Sequence, residues 1–199
     1  MKLNDYKLVF IAVGLIGVLL IATPAIAANI HLPGGQQFSE LYLLGPNKMA
    51  ENYPFNIEIS QNYSVYIGVA NQMGSPQNYV LYVKLLNQTD ILPNNTAGTP
   101  SPIQPLYECR FSIANGQNWN SLLTFSVSSA NVINNQSTIE NLNISGLVFN
   151  AEKPSIWNST ASEVPYRLLF ELWIFNPQSN SIQYNDRFVD LQLNYTQPT

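Results

Sequence analysis

The sequence predicts an all-β protein: an immunoglobulin-like antiparallel β-sandwich preceded by one N-terminal transmembrane or signal helix. Three observations carry this expectation. Apolar and polar residues alternate with period two, clusters of turn-forming residues divide the alternating runs, and helical periodicity is weak. Eight or so short strands without alternating helices bury their apolar faces by packing sheet on sheet.

The N-terminal stretch 8–28, bounded by Leu8 and Ala28, holds no charged side chain and a single hydroxyl, Thr23. At ~1.5 Å of rise per residue it makes a helix roughly 31 Å long, the thickness of a bilayer's hydrocarbon core. Two readings are open. Lys2 and Lys7 form a basic n-region and Ala25-Ile26-Ala27 a small-x-small pattern, so a signal peptidase can cut after Ala27. Retained, the same residues are a single-pass anchor in contact with the lipid bilayer. Under either reading the lysines stay inside and the chain from Asn29 onward faces the exterior. The expected organisation is an anchor or signal at 1–28, a juxtamembrane linker at 29–37 and a β-sandwich ectodomain at 38–199. The protein is then a membrane protein with its ectodomain outside or, after cleavage, a secreted or cell-surface one.

The strands follow in order. A first strand at 38–44 places Phe38, Glu40, Tyr42 and Leu44 on one face and Ser39, Leu41 and Leu43 on the other. Pro46 and Pro54 bracket the next connection, in which Glu51 can pair with Lys48 or accept backbone hydrogen bonds. Strict alternation at 55–60 puts Phe55, Ile57 and Ile59 on one face, and 64–71 repeats it through Val65, Ile67 and Val69. Met73-Gly74-Ser75-Pro76 then reads as a hairpin turn into a long strand at 79–87, flanked by Asn71 and Asn78. Residues 89–105 hold four prolines, two adjacent asparagines and a glycine, too many breakers for a central strand. Further strands are expected at 106–114, 122–128, 144–149, 166–175 and 187–195, with turns at Asn115-Gly116 and Asn176-Pro177. The Asn-rich stretch 131–143 reads as a loop. No internal repeat of fixed period is present.

Composition narrows the function. Beyond residue 28 one domain with a sizeable core fits, and two would be crowded. Eleven acidic residues there face six scattered basic ones, which argues against a nucleic-acid partner. Charged residues make up 10% of the chain where about a quarter is usual, so solubility rests on amides and hydroxyls. Such a surface is indifferent to pH and suits an acidic exterior.

Cys109 is alone, so no intramolecular disulfide forms; alternation puts it on the face of Tyr107, Phe111 and Ile113, as a small buried apolar residue. His31 is the single histidine and lies just past the bilayer, leaving neither a His-based metal cluster nor a Ser-His-Asp relay in the domain. No phosphate loop, dinucleotide fingerprint or EF-hand loop is present. The sequence therefore assigns no catalytic residue, cofactor or metal site, and the chain reads as a non-enzyme. Glu108 and Glu171 form a possible carboxylate pair for glycoside chemistry only if the fold sets them ~5 to 9 Å apart. Lys84 is a possible partner in an internal amide with an Asn or Asp. Trp119, Trp157 and Trp173 read as packing residues rather than a sugar-stacking platform. Seven N-glycosylation sequons stand at Asn62, Asn87, Asn94, Asn135, Asn143, Asn158 and Asn194, against about three expected by chance for this content of Asn, Ser and Thr.

The most distinctive phrases are Phe38-Ser-Glu-Leu-Tyr-Leu-Leu-Gly-Pro46, Ala50-Glu-Asn-Tyr-Pro54, Ser64-Val-Tyr-Ile-Gly-Val-Ala-Asn71 and Asn78-Tyr-Val-Leu-Tyr-Val83. On these the chain resembles an archaeal membrane-protein family known as domain of unknown function sixteen-sixteen. The resemblance is strong over about residues 20–90 and weaker through Asn118-Trp-Asn-Ser-Leu-Leu-Thr-Phe125 and Tyr166-Arg-Leu-Leu-Phe-Glu-Leu-Trp173. It implies an exported domain beside an archaeal membrane and favours the retained anchor. It implies no activity.

Three functions are then in play. The first is a glycosylated, membrane-anchored surface module that supports or contacts other envelope proteins or copies of itself. The second is a thread-like filament subunit whose tail, residues 28–44, leaves its own sandwich to complete a neighbour's sheet, with Pro33-Gly34-Gly35 as hinge. The third is a glycan-binding or glycan-processing surface domain.

Overall fold

A computed structural model of the chain describes residues 6–7, 13–18 and 37–196. The unit Met1–Gln36 and the unit Gln37–Thr199 are each compact. In the first, residues 13–18 are helical. Among the described residues no helix is long and apolar enough to cross a membrane. Most of the stretch 8–28, with Ala27, His31 and Pro33-Gly34-Gly35, lies outside the described residues.

The second unit is a sandwich of two five-stranded sheets. One has the order β1 (Phe38–Leu44), β3 (Tyr63–Gln72), β6 (Asn118–Ile133), β7 (Gln136–Ile144), β8 (Leu147–Ile156). The other runs β2 (Asn56–Ile57), β10 (Ser181–Tyr195), β9 (Pro165–Asn176), β4 (Gln77–Asn87), β5 (Tyr107–Ile113). Every named pair is antiparallel except β2 with β10. Period-two alternation delivers one face of each strand to a common core, where Val65, Ile67 and Phe125 of the first sheet meet Leu81, Phe170 and Leu193 of the second. Each such side chain contributes roughly 1.5–3 kcal/mol on burial, and this takes the place of the disulfide that a lone Cys109 cannot form. The all-β, immunoglobulin-like sandwich read from the sequence is the fold observed.

Two polar ties cross between the sheets inside this core. The Tyr79 hydroxyl of β4 lies 2.8 Å from Ser39 Oγ of β1, and the Tyr166 hydroxyl of β9 donates to the Ser137 carbonyl of β7 at 2.9 Å. Burial pushes both phenols up, Tyr166 to about 12, against a smaller downward pull from the serine hydrogen bonds.

Five local expectations are corrected. Residues 73–76 do not close a hairpin: β3 and β4 belong to different sheets, and the turn carries the chain from one to the other. Asn71 makes this corner. Its side-chain amide donates to the carbonyls of Ser75 and Ile113, both at 2.9 Å, and its Oδ1 accepts from Met73 N–H at 3.0 Å. A sequence pattern of strand, Gly-Ser-Pro, strand is the same for a hairpin and for a sheet-to-sheet corner. Asn78, on the other side of the corner, accepts from the Ser112 hydroxyl on β5.

The Asn-rich stretch 131–143 is no loop but the end of β6, a two-residue turn and most of β7. Asn134 and Asn135 sit at φ 49° and 65°, the left-handed pair that a tight hairpin with right-handed twist requires, and asparagine is the side chain that best tolerates it. The expected strand at 144–149 contains a second such turn, with Ser145 and Gly146 at φ 52° and 87°, so that β8 begins at Leu147. Its register runs Ile144 against Leu147, and the strand continues to Ile156. Finally, 55–60 shortens to β2 and an isolated bridge from Ile59 to Val127; Ile57 is buried while Phe55 is 45% exposed. The Lys48 ammonium lies 5.0 Å from the centroid of the Tyr66 ring, so its partner is an aromatic face rather than Glu51.

The first strand holds its expected bounds and faces, with Ser39 buried and Leu41 and Leu43 packed against the core. On the outer face the Tyr42 ring lies over Gly68, where a Cβ would sit 2.1 Å from it, and its hydroxyl reaches Asn120 Oδ1 at 2.9 Å. Glycine in mid-strand is thus a seat for a cross-strand aromatic.

Asn71→Ala is expected to lower stability by about 3 kcal/mol, since it strands buried backbone groups at the corner, whereas Asn78→Ala costs under about 1 kcal/mol. Chemical denaturation compares them. For Tyr166 the folded pKa is raised, so above pH ~10 the unfolded chain releases a proton that the folded chain holds. Its contribution is complete below about pH 10 and is lost as pH climbs toward the folded value of about 12. Tyr166→Phe is expected to flatten that alkaline loss in a pH series of denaturation curves.

Candidate functional site

The outer face of the second sheet is unusual for a sandwich because it is covered. Alternation sends Tyr82, Lys84 and Leu86 of β4 and Leu169, Glu171 and Trp173 of β9 away from the core, yet Leu86, Leu169 and Glu171 are fully buried. The cover is the connection between β4 and β5. Pro93, Pro100, Pro102 and Pro105 keep it out of any ladder, and it crosses the sheet as a strap.

Beneath the strap Lys84 Nζ lies 2.7 Å from Glu171 Oε2, with side chains 4% and 0% exposed. The strap supplies the rest of the coordination. Lys84 donates to the Ser101 carbonyl at 2.8 Å, Ser101 N–H donates to Glu171 Oε1 at 2.8 Å, and Trp173 Nε1–H donates to Glu171 Oε2 at 3.1 Å. One serine backbone unit therefore reads both members of an ion pair. Burying two charges costs several kcal/mol each, and that cost is offset because the ammonium and both carboxylate oxygens find partners. Tyr82 meets the edge of the Trp173 ring at 5.4 Å, and Tyr184 tilts against the same ring at 5.8 Å. Tyr184 also donates to Asn95 Oδ1 at 2.7 Å, and burial, then the nearby Glu171 charge, pushes its pKa well up. A cleft of about 280 Å³ opens here, lined by Tyr82, Lys84, Gln104, Trp173 and Ile182 among others.

This geometry decides several sequence expectations. Glu108 and Glu171 do share a face, because Tyr82 is the register partner of both. Two strand spacings put their backbones roughly 10 Å apart. Glu108 is exposed and bound to Arg110 at 2.7 Å, whereas Glu171 is enclosed with Lys84, so the two carboxyl groups do not face one open cleft. Lys84 Nζ meets a carbonyl and a carboxylate, not an Asn or Asp side chain with which to form an amide. Cys109 is half-buried and packs against the core, where burial raises its thiol pKa. Among the described residues no group of three or more His, Cys, Asp or Glu is placed to hold a metal ion.

The tryptophans divide. Trp119 stacks on Phe111 at 3.8 Å and Trp173 belongs to the strap site, but Trp157 is 43% exposed at the far tip of the domain. There it lines a cleft of about 350 Å³ with Val132, Asn135, Val164 and Tyr195. The sequons divide as well. Asn62, Asn94, Asn135 and Asn158 are exposed and Asn143 is half-buried. Asn87 gives its amide to the Pro154 carbonyl at 2.7 Å. Asn194, 9% exposed, bonds Asn56 and Val164.

A second feature lies at the open sides of β1 and β10. Among the described residues β1 pairs only with β3, and β10 meets β2 only at Asn194 and Tyr195, so both strands leave an edge on the same side of the sandwich. Between them runs a groove of about 700 Å³ lined mainly by Leu41, Leu43, Tyr53, Phe55, Phe188 and Leu191. Two outward carbonyls of β1 are capped: Ser39 by Arg187 Nε at 3.1 Å and Leu43 by the Tyr53 hydroxyl at 2.7 Å. Sequence reasoning missed both features. Alternation identifies a strand's faces but carries no information on whether a loop crosses one of them.

Glu171→Gln, which keeps the shape and leaves Lys84 buried without its counter-charge, is expected to cost about 3–5 kcal/mol. The pair Lys84→Met with Glu171→Leu is expected to recover most of that loss. Hydrogen exchange across residues 99–105 reads the strap's release in the single variant.

No curated protein matches the chain in sequence. Among solved structures, the CARDB domain of the PF1109 protein from Pyrococcus furiosus is similar at 7% identity over 80% of this chain and 90% of that one, with a TM-score of 0.39. A β-glucosidase from Listeria innocua is 10% identical over 80% of this chain but only 16% of its own, with a TM-score of 0.37. A chain in the complex of Zinc 2-glycoprotein and Prolactin inducible protein from human seminal plasma is 5% identical over 82% and 99% of the two chains, with a TM-score of 0.38. At this distance none of the three bears on what the chain does. The family model described as Domain of unknown function (DUF1616) matches residues 32–174, more than half of the sequence, and the chain belongs to that family.

Proposed function

We propose that the protein is a non-catalytic, membrane-anchored extracellular module of an archaeal cell envelope, glycosylated, and acting as a structural or protein-interaction subunit. The observation that carries this reading is the groove between β1 and β10. It combines an apolar floor with two strand edges whose backbone groups are only partly capped, the combination on which an extended segment of another chain can add. The charge-poor, amide-rich composition and the apolar stretch 8–28 support the envelope setting. The strap site supports the non-catalytic part, since Lys84 and Glu171 are held by one another and by Ser101.

A filament subunit is the second reading, favoured by the place of β1. It is an edge strand at the start of the compact unit, so it can be exchanged with a neighbour by breaking one ladder of seven residue pairs.

The N-terminus of the native protein separates the two. The anchored module predicts a chain that begins at Met1 or is blocked, stays with the membrane fraction and is accessible to protease from outside. A mature chain beginning near Ala28 that migrates as a ladder of oligomers overturns the anchor in favour of the filament. Phe55→Asp in the groove is expected to weaken capture of envelope partners by about tenfold in a crosslinking comparison while leaving the melting temperature nearly unchanged.

A further inference from the structure

Two loops of this domain are built to one pattern. Residues 94–99 read Asn-Asn-Thr-Ala-Gly-Thr and residues 158–163 read Asn-Ser-Thr-Ala-Ser-Glu, so each opens on a sequon and continues through alanine. Each is closed by an isolated antiparallel bridge between its first and sixth residues: Asn94 with Thr99 and Asn158 with Glu163. In each the asparagine Oδ1 accepts from the alanine N–H three residues on, at 3.0 Å in the first and 3.2 Å in the second. The fifth residue takes the left-handed conformation, Gly98 at φ 65° and Ser162 at φ 57°. Turning Oδ1 into the loop turns Nδ2 out of it.

We infer that Asn94 and Asn158 are a matched pair of N-glycan acceptor sites, modified on the folded domain by transfer from a lipid-linked oligosaccharide. In that transfer the bond between the sugar's anomeric carbon and the lipid phosphate oxygen breaks. The anomeric carbon joins Nδ2, the lipid phosphate leaves with the bonding electron pair, and one amide proton passes to the medium. The transfer enzyme must reach Nδ2 and the hydroxyl two residues on, and must bend the intervening chain.

Among the seven sequons, only these two have all three residues exposed. Each alternative is obstructed by a named contact. Ser137, the hydroxyl residue after Asn135, is buried against the Tyr166 hydroxyl. Ser64, after Asn62, is held in the β3–β6 ladder, and Asn143 is held between β6 and β8. Asn87 and Asn194 have their amides committed to Pro154 and Asn56. One glycan would stand on the strap itself, at Asn94 beside the Asn95 that binds Tyr184, and the other at Asn158 next to the exposed Trp157.

The inference rests on the reading of the domain as exported and glycosylated, but its test does not require export. The full chain, produced without glycosylation and purified folded in detergent, is incubated with an oligosaccharyltransferase and a lipid-linked oligosaccharide, then mapped by glycopeptide mass spectrometry. The expected result is two glycans, at Asn94 and Asn158. Asn94→Gln and Asn158→Gln each remove one, and the double variant takes none until the chain is unfolded in urea, when Asn87 and Asn194 gain sugar. Modification of Asn87 or Asn194 on the folded chain, of one loop without the other, or of neither loop by an enzyme active on an acceptor peptide overturns the inference. The membrane-anchor reading fails separately, through the native N-terminus.

Discussion

The central strands β4 and β9 are buried on both faces, and most of the molecule's particular features follow from that constraint. A sandwich ordinarily leaves its outer faces to water, where alternation supplies polar side chains at no cost. Here the strap lies over that face, where Leu86 and Leu169 are buried and Lys84 and Glu171 lose their solvent. Two opposite charges on neighbouring strands, two register positions apart, neutralise each other, and one serine backbone unit together with the Trp173 indole supplies their further bonds. The interaction is thus less a source of net stability than a specification of where the strap must lie.

The same economy appears at the other polar points of the interior. The Asn71 side chain makes the corner between sheets with three hydrogen bonds, and Tyr79 and Tyr166 each send a hydroxyl across the core to the opposite sheet. In a domain with no disulfide, these bonds do not hold the sheets together, since apolar burial does that. They fix which strand faces which, because a shifted sheet leaves each of these polar groups buried and unpaired.

How much of this was legible in the sequence varies with the physics behind each feature. Strands whose two faces differ in polarity were legible to within a residue or two, as at Phe38–Leu44, where alternation and the flanking Gly45-Pro46 both speak. Hairpins built on Asn134-Asn135 and Ser145-Gly146 were not, because asparagine-rich stretches look like loops until their left-handed φ values are known. Sheet membership after β3 was not, because the corner and a hairpin share one local composition. The strap site lay further out of reach. Glu171, Trp173 and Lys84 each stand out in the sequence for other reasons, but their meeting depends on a loop folding back over strands that are distant in sequence. For the sequons, spacing gave the candidates, and only the bonding of Asn87 and Asn194 separates them from Asn94 and Asn158.

The position of β1 also determines how the domain carries load. It enters at the end of the sandwich where Phe38 meets Gln72, and β6 runs from that end at Asn118 to Ile133 near the opposite tip, about 50 Å of extended chain away. A pull on the chain ahead of Gln37, resisted at the Trp157 tip, therefore acts along the axis of β1. Its hydrogen bonds to β3 lie across that axis, so the seven-residue ladder is sheared as a block rather than opened one bond at a time. Detachment by tension then requires the whole ladder to fail at once, along with the contacts of the buried Ser39 and the half-buried Leu41 and Leu43, and that makes the edge strand a mechanical clasp.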